Sequence, residues 1–174
     1  MMGKRSVVRG RRLAVIASSA VMLICGCLAP TAATAAGSAD KGLRAYLDGK
    51  PLKLEDVGDW YCDDFSYPVI QCFTNSTELE IRDATVLSTS SIDYVTIYDF
   101  TTFAGSFMQV SQDYSVLATI GWNDRISSFK ARNSQDGHFY TDWFYSGTGY
   151  YFCCNQQVTS LGAYDNTFSS VRND

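Results

Sequence analysis

The sequence predicts an all-β fold: a two-sheet sandwich over residues 93–174, preceded by an irregular β-rich extension over residues 37–92. Three observations carry that expectation. First, the second half is written twice. YDFTTFAG (98–105) answers YTDWFYSG (140–147), with Tyr98 and Tyr140, Phe103 and Tyr145, and Gly105 and Gly147 each 42 residues apart. The same interval separates Asn123 from Asp165 and Ser127 from Ser169 in GWNDRISSF (121–129) and AYDNTFSSV (163–171). Second, side chains alternate with period two, as Val95 and Ile97 do against Tyr94, Thr96 and Tyr98. Third, Gly105 and Gly147 fall between strand runs, where a fold-over needs positive φ. Each copy, about 93–132 and 135–174, reads as roughly four short strands that cannot bury a face alone; two facing copies make a sandwich.

Taken in chain order, residues 1–36 read as an export signal. Lys4, Arg5, Arg9, Arg11 and Arg12 precede an apolar run over 13–30, and small residues at Ala33 and Ala35 offer a cleavage site. The apolar run is broken by Ser, Gly and Cys, which argues against a permanent membrane helix. Ile24-Cys25-Gly26-Cys27 loosely resembles a lipoprotein box with Cys27 as the lipidated residue, although Cys25 matches it poorly. Cleavage removes five of the 14 basic residues and none of the 18 acidic ones, so the net charge moves from −4 to −9. Such a surface repels nucleic acid and anionic lipid, and suits a secreted, monomeric protein or one that collects cations.

The 37–92 segment is less regular. Asp48-Gly49 between short apolar runs signals a hairpin. TELEIRDATVL (77–87) reads as either one helical stretch or a strand. Asp63-Asp64 reads as a pair of solvated turn charges. The mature chain keeps four cysteines, and export favours two disulfides among them. A bond between neighbours Cys153 and Cys154 needs a strained peptide. Cys62 and Cys72 each reaching one of that pair, and so tethering the extension, is therefore the favoured expectation, with a local Cys62–Cys72 bridge second.

The repeat then adds chemistry. Each copy joins a Tyr-x4-aromatic-x-Gly element to an (Asn/Asp)-(Asn/Asp)-x-x-Ser-Ser loop. The two loops, NDRISS and DNTFSS, offer carboxylate, amide and hydroxyl oxygens, the donors that calcium takes. This double pattern resembles the βγ-crystallin Greek-key domain, and in particular its calcium-binding microbial members, over roughly residues 93–174. The resemblance implies a βγ-crystallin-like Greek-key sandwich and a double clamp in which each ion takes oxygens from one loop and a hydroxyl from the other. Carried over, the clamp serines are Ser127 and Ser169. The acidic or amide positions are Asn123 with Asp124, and Asp165 with Asn166. Arg125 and Thr167 would add backbone carbonyls, as would Asp99 and Thr141, while Ser128 and Ser170 would bond inside the fold. Arg125 departs from what a cation site wants: a guanidinium turned inward would weaken the site. One carboxylate per loop implies modest affinity.

Other candidates carry less. His138 is the single histidine, so a multi-histidine metal site is excluded, and no nucleophile elbow accompanies it. The expectation is a non-enzymatic protein. Trp143, Phe144, Tyr145, Tyr150 and Tyr151 read as core and corner residues, of which a solvent-facing subset would bind a partner. A second functional reading is a secreted protease inhibitor or a killer-toxin-like antimicrobial on the same scaffold, its interface carried by 37–92.

Overall fold

The computed structural model describes residues 42–174. The expected export signal, its cleavage site and Cys27 lie outside the described residues. The chain forms β1 (Arg44–Leu47), β2 (Lys50–Leu52), a 3-10 turn at Leu54–Asp59, β3 (Tyr61–Ser66), β4 (Val69–Phe73) and helix α1 (Ser76–Leu87). The duplicated half follows as β5 (Tyr94–Phe100), β6 (Ala104–Val110), β7 (Ser128–Arg132), β8 (Asp136–Asp142), β9 (Ser146–Cys153), β10 (Gln157–Val158) and β11 (Ser170–Asn173). An eight-stranded sheet runs β10-β7-β5-β6-β3-β4-β1-β2, and a three-stranded sheet runs β11-β8-β9. The expected all-β two-sheet architecture holds, with α1 as an addition.

The two copies repeat in backbone detail. Thr102 and Phe144, Phe103 and Tyr145, Gly105 and Gly147, and Asp124 and Asn166 all have positive φ, each pair 42 residues apart. Ser128 Oγ donates to the Phe100 carbonyl and accepts from Phe103 N, at 2.6 and 3.1 Å. Ser170 does the same with Asp142 and Tyr145, at 2.7 and 3.0 Å. These are the internal bonds expected of the last serine of each loop. The copies also exchange strands: β10 of the second pairs with β7 of the first, and Tyr114 of the first bridges Val171 of the second. Within each copy the last strand, β7 or β11, returns to lie beside the first, β5 or β8, which is the return that defines a Greek key.

The extension differs from the expected irregular appendage. β3 lies parallel to β6, with Tyr61 opposite Phe107 and Cys62 opposite Met108. Residues 42–73 therefore continue the first copy's own sheet, and their Ala45, Val57 and Ile70 share one core with Trp122, Phe129, Phe139, Phe152 and Phe168. The link is a hydrogen-bonded ladder rather than a disulfide tether. The favoured cysteine pairing is overturned. Cys62 and Cys72 face each other across the antiparallel β3–β4 ladder and are bonded to each other. Cys153 and Cys154 are bonded to each other at the turn after β9, where Cys154 takes a φ of 56°.

The 76–87 stretch settles as a helix because Asn75 caps it, its side chain accepting from Thr77 N. Asp63 and Asp64, read as solvated, are fully buried. The reason is long-range. Arg82 of α1 pairs with Asp63, and Asp64 accepts from Ser111 N, Ser111 Oγ, Gln112 N and Tyr114 Oη at 2.7–3.2 Å. The aromatic expectation holds in part: Tyr150 packs against the core, while Trp143, Phe144 and Tyr151 are exposed, at 47%, 46% and 53%. Other core rings come from positions such as Trp122 and Phe168.

Candidate functional site

The two Asn/Asp loops lie side by side and are bonded to each other and to the hairpins by matching hydrogen bonds. Asp124 N donates to the Phe168 carbonyl at 2.9 Å, and Asn166 N donates to the Ile126 carbonyl at 3.1 Å. Ser127 N donates to the Tyr98 carbonyl and Ser169 N to the Tyr140 carbonyl, at 2.9 and 2.8 Å. Asp124 and Asn166 each hold φ at 54°. A left-handed backbone already favours an Asn or Asp there; the cavities these residues line give the pattern a second reason.

Those cavities are crossed. One of about 780 Å³ is lined by Asn123 and Asp124 of the first loop, Ser169 of the second, and Thr141 and Asp142 of the second hairpin. The other, about 530 Å³, is lined by Asp165 and Asn166 of the second loop, Ser127 of the first, Asp99 of the first hairpin, and Asp124 with Arg125. Ser127 Oγ donates to Asn166 Oδ1 across the loops at 3.2 Å. Nine of the ten expected site residues thus fall on one or other cavity. Thr167 does not line either, and its hydroxyl donates to the Tyr164 carbonyl at 2.9 Å. Asp142 was missed by the sequence reasoning because its counterpart in the first copy is Phe100, so the repeat carried no signal. Trp143 was assigned to the core, yet its Nε1 donates to Asn123 Oδ1 at 3.0 Å on the cavity rim.

The cavities differ electrostatically. Arg125 grips Asp99 with two bonds, Nε to Oδ1 at 3.2 Å and Nη2 to Oδ2 at 3.1 Å. Its Nη1 donates to Asp59 at 2.9 Å and to the Gly121 carbonyl at 3.2 Å, and the guanidinium sits 5.6 Å from the centre of the Trp122 ring. The Asp99 bonds, assisted by Asp59, raise its pKa against the opposing effect of burial, so the cation is fixed in place. The first cavity contains Asp124 and Asp142 and no basic lining residue. Among the described residues, no group of three or more His, Cys, Asp or Glu side chains is placed to hold a metal. Any cation here would depend on hydroxyl, amide and backbone oxygens beside few carboxylates.

Solved structures of βγ-crystallin domains match part of this chain. A structure of the eye-lens βγ-crystallin domain fold matches at 22% identity and a TM-score of 0.46, over 49% of this chain and 88% of its own. A βγ-crystallin from an archaeon matches at 25% identity and 0.43, over 48% and 100%. A βγ-crystallin domain from Flavobacterium johnsoniae matches at 24% and 0.42, over 46% and 92%. The chain is similar to βγ-crystallin domains over about half its length. No family model matches the sequence, and no curated protein does. Among the described residues, no helix is long and apolar enough to cross a membrane.

Proposed function

We propose that the βγ-crystallin-like half is a calcium-binding module of an exported, non-enzymatic protein, with two sites of unequal strength. One observation carries the reading: each cavity gathers the Asn/Asp pair of one loop with the serine of the other, so neither loop completes a donor set alone. The donor chemistry fits a hard cation that takes six to eight oxygens. Asp124, Asp142, Ser169 and Asn123 would hold the ion in the stronger site, with Thr141 beside them. Asp165, Asn166 and Ser127 would hold it in the weaker one, where Asp99 is already neutralised by Arg125. Few carboxylates per site imply dissociation constants of about 10⁻⁴–10⁻³ M, as in extracellular calcium modules.

Calorimetric titration of calcium into the metal-free protein tests this. Two events of different affinity are expected. Calcium at ten times the dissociation constant should stabilise the fold by about 1.4 kcal/mol per site, read as a rise in melting temperature. Asp142→Ala with Ser169→Ala should remove the stronger event, and Arg125→Gln should tighten the weaker one by freeing Asp99. Absence of both binding heat and a melting shift in millimolar calcium would overturn the reading.

A further inference from the structure

A separate cleft lies on the outer face of the eight-stranded sheet, under α1. It encloses about 650 Å³, within the range of roughly 300–1,000 Å³ typical of small-molecule sites. Strand register lays its floor in two parallel rows. Tyr61, Phe107 and Tyr98 are cross-strand neighbours on β3, β6 and β5, with ring centres 5.3 and 5.4 Å apart. Two residues along, Gln109, Thr96 and Lys130 form a polar row on β6, β5 and β7. Helix α1 brings Asp83 over these rows.

Two side chains in this cleft are buried yet unsatisfied. Asp83 and Gln109 are only 4% and 8% exposed. Asp83 faces the Gln109 amide, and beyond that contact neither oxygen of its carboxyl, nor Oε1 of Gln109, finds a donor. Arg82 cannot supply one: it is committed to Asp63 and Ser66, and its Nη1 stands 4.0 Å from Asp83. Buried acceptors without donors are costly to a fold and are rare. Here three of them belong to two residues in the wall of one cleft.

We infer that this cleft binds a neutral saccharide, which stacks a ring face on the Tyr61–Phe107–Tyr98 row and donates hydroxyls to Asp83 and Gln109. The unmet groups are all acceptors, so the ligand must bring donors, which excludes an anion. Lys130 already sits 4.1 Å from the Phe103 ring centre, and Arg132 lines the same cleft. Glu80 and Asp83 line it as well, so the cleft carries no excess of either charge and suits an uncharged ligand. A pyranose has an apolar face and a hydroxyl rim, matching adjacent aromatic and polar rows.

The test is a backbone-amide NMR titration of the full mature chain with four neutral trisaccharides: cellotriose, chitotriose, maltotriose and mannotriose. At least one should shift the amides of Thr96 and Gln109 by tens of millimolar. Gln109→Leu and Asp83→Leu should each weaken that binding at least about tenfold while raising the melting temperature, because each removes an unmet buried acceptor. Phe107→Ala should weaken binding without that gain. The inference is overturned by silence from all four sugars, by shifts confined to the Trp143 hairpin, by a leucine variant that binds normally, or by a response to butylamine in place of sugar.

Discussion

At the scale of single residues, three buried carboxyls set the pH response. Desolvation raises Asp64 from 3.8 to about 6, partly offset by its bonds to Ser111 and Tyr114. Asp83 rises to about 7, and Asp63 is raised as well, burial outweighing Arg82. Each binds its proton more tightly folded than unfolded. Their contribution to stability is therefore complete below about pH 4 and is lost as pH climbs through 6 and 7. Urea midpoints should fall steadily from pH 5 to pH 8, by about 2–4 kcal/mol in unfolding free energy. Asp83→Asn should remove the larger share. A flat profile, or greater stability at pH 8, would contradict the buried-acid account. None of this was legible in the sequence. Two adjacent aspartates look like a turn until Arg82, Ser111 and Tyr114, 19 to 50 residues away, are brought to them.

At the scale of elements, the duplicated half was legible in advance because its signal is internal: two copies constrain each other's register. The hairpins, the paired loops and the structural serines all follow from the 42-residue interval. The extension has no second copy. Its helix carries Leu79 and Asp83 inward and Ile81, 65% exposed, outward, so no apolar stripe announced it. What seats the extension is a backbone contact. The 54–59 turn packs directly on the turn at Leu117–Ile120, and a methyl added at Gly121 would overlap the Glu55 carbonyl, while one at Gly58 would overlap the Gly121 carbonyl. Gly121 also sits at φ 68°. Gly121→Ala should destabilise by about 2–3 kcal/mol, the sum of left-handed strain and overpacking. Gly162→Ala is the control: its φ of 59° is similar but nothing lies within 4 Å, so only about 1 kcal/mol is expected. Equal losses in thermal denaturation would mean that the turn-on-turn contact contributes nothing.

At the scale of the whole molecule, the extension and the repeats share one sheet and one core, which fixes how the protein can be divided. β3 fills one edge of β6. Ser106 Oγ donates to the Gly58 carbonyl at 2.7 Å, Asp64 holds the loop after β6, and Arg125 joins Asp59 to the cavity that Asp99 lines. Removing residues 42–92 would strip β6 of its β3 neighbour, take Asp59 from Arg125, and uncover apolar surface under Leu117 and Ile120. An unpaired edge strand beside exposed apolar surface invites association. A chain of residues 93–174 should therefore elute as oligomer or aggregate in size-exclusion chromatography, and melt well below the parent. On the proposed function, calcium should recover only part of that loss, because both candidate cavities lie within 93–174 while the missing contacts do not. A truncated monomer with the parent's melting temperature would show that the shared ladder is incidental, and the 37–92 segment would then be the separable appendage its sequence suggests.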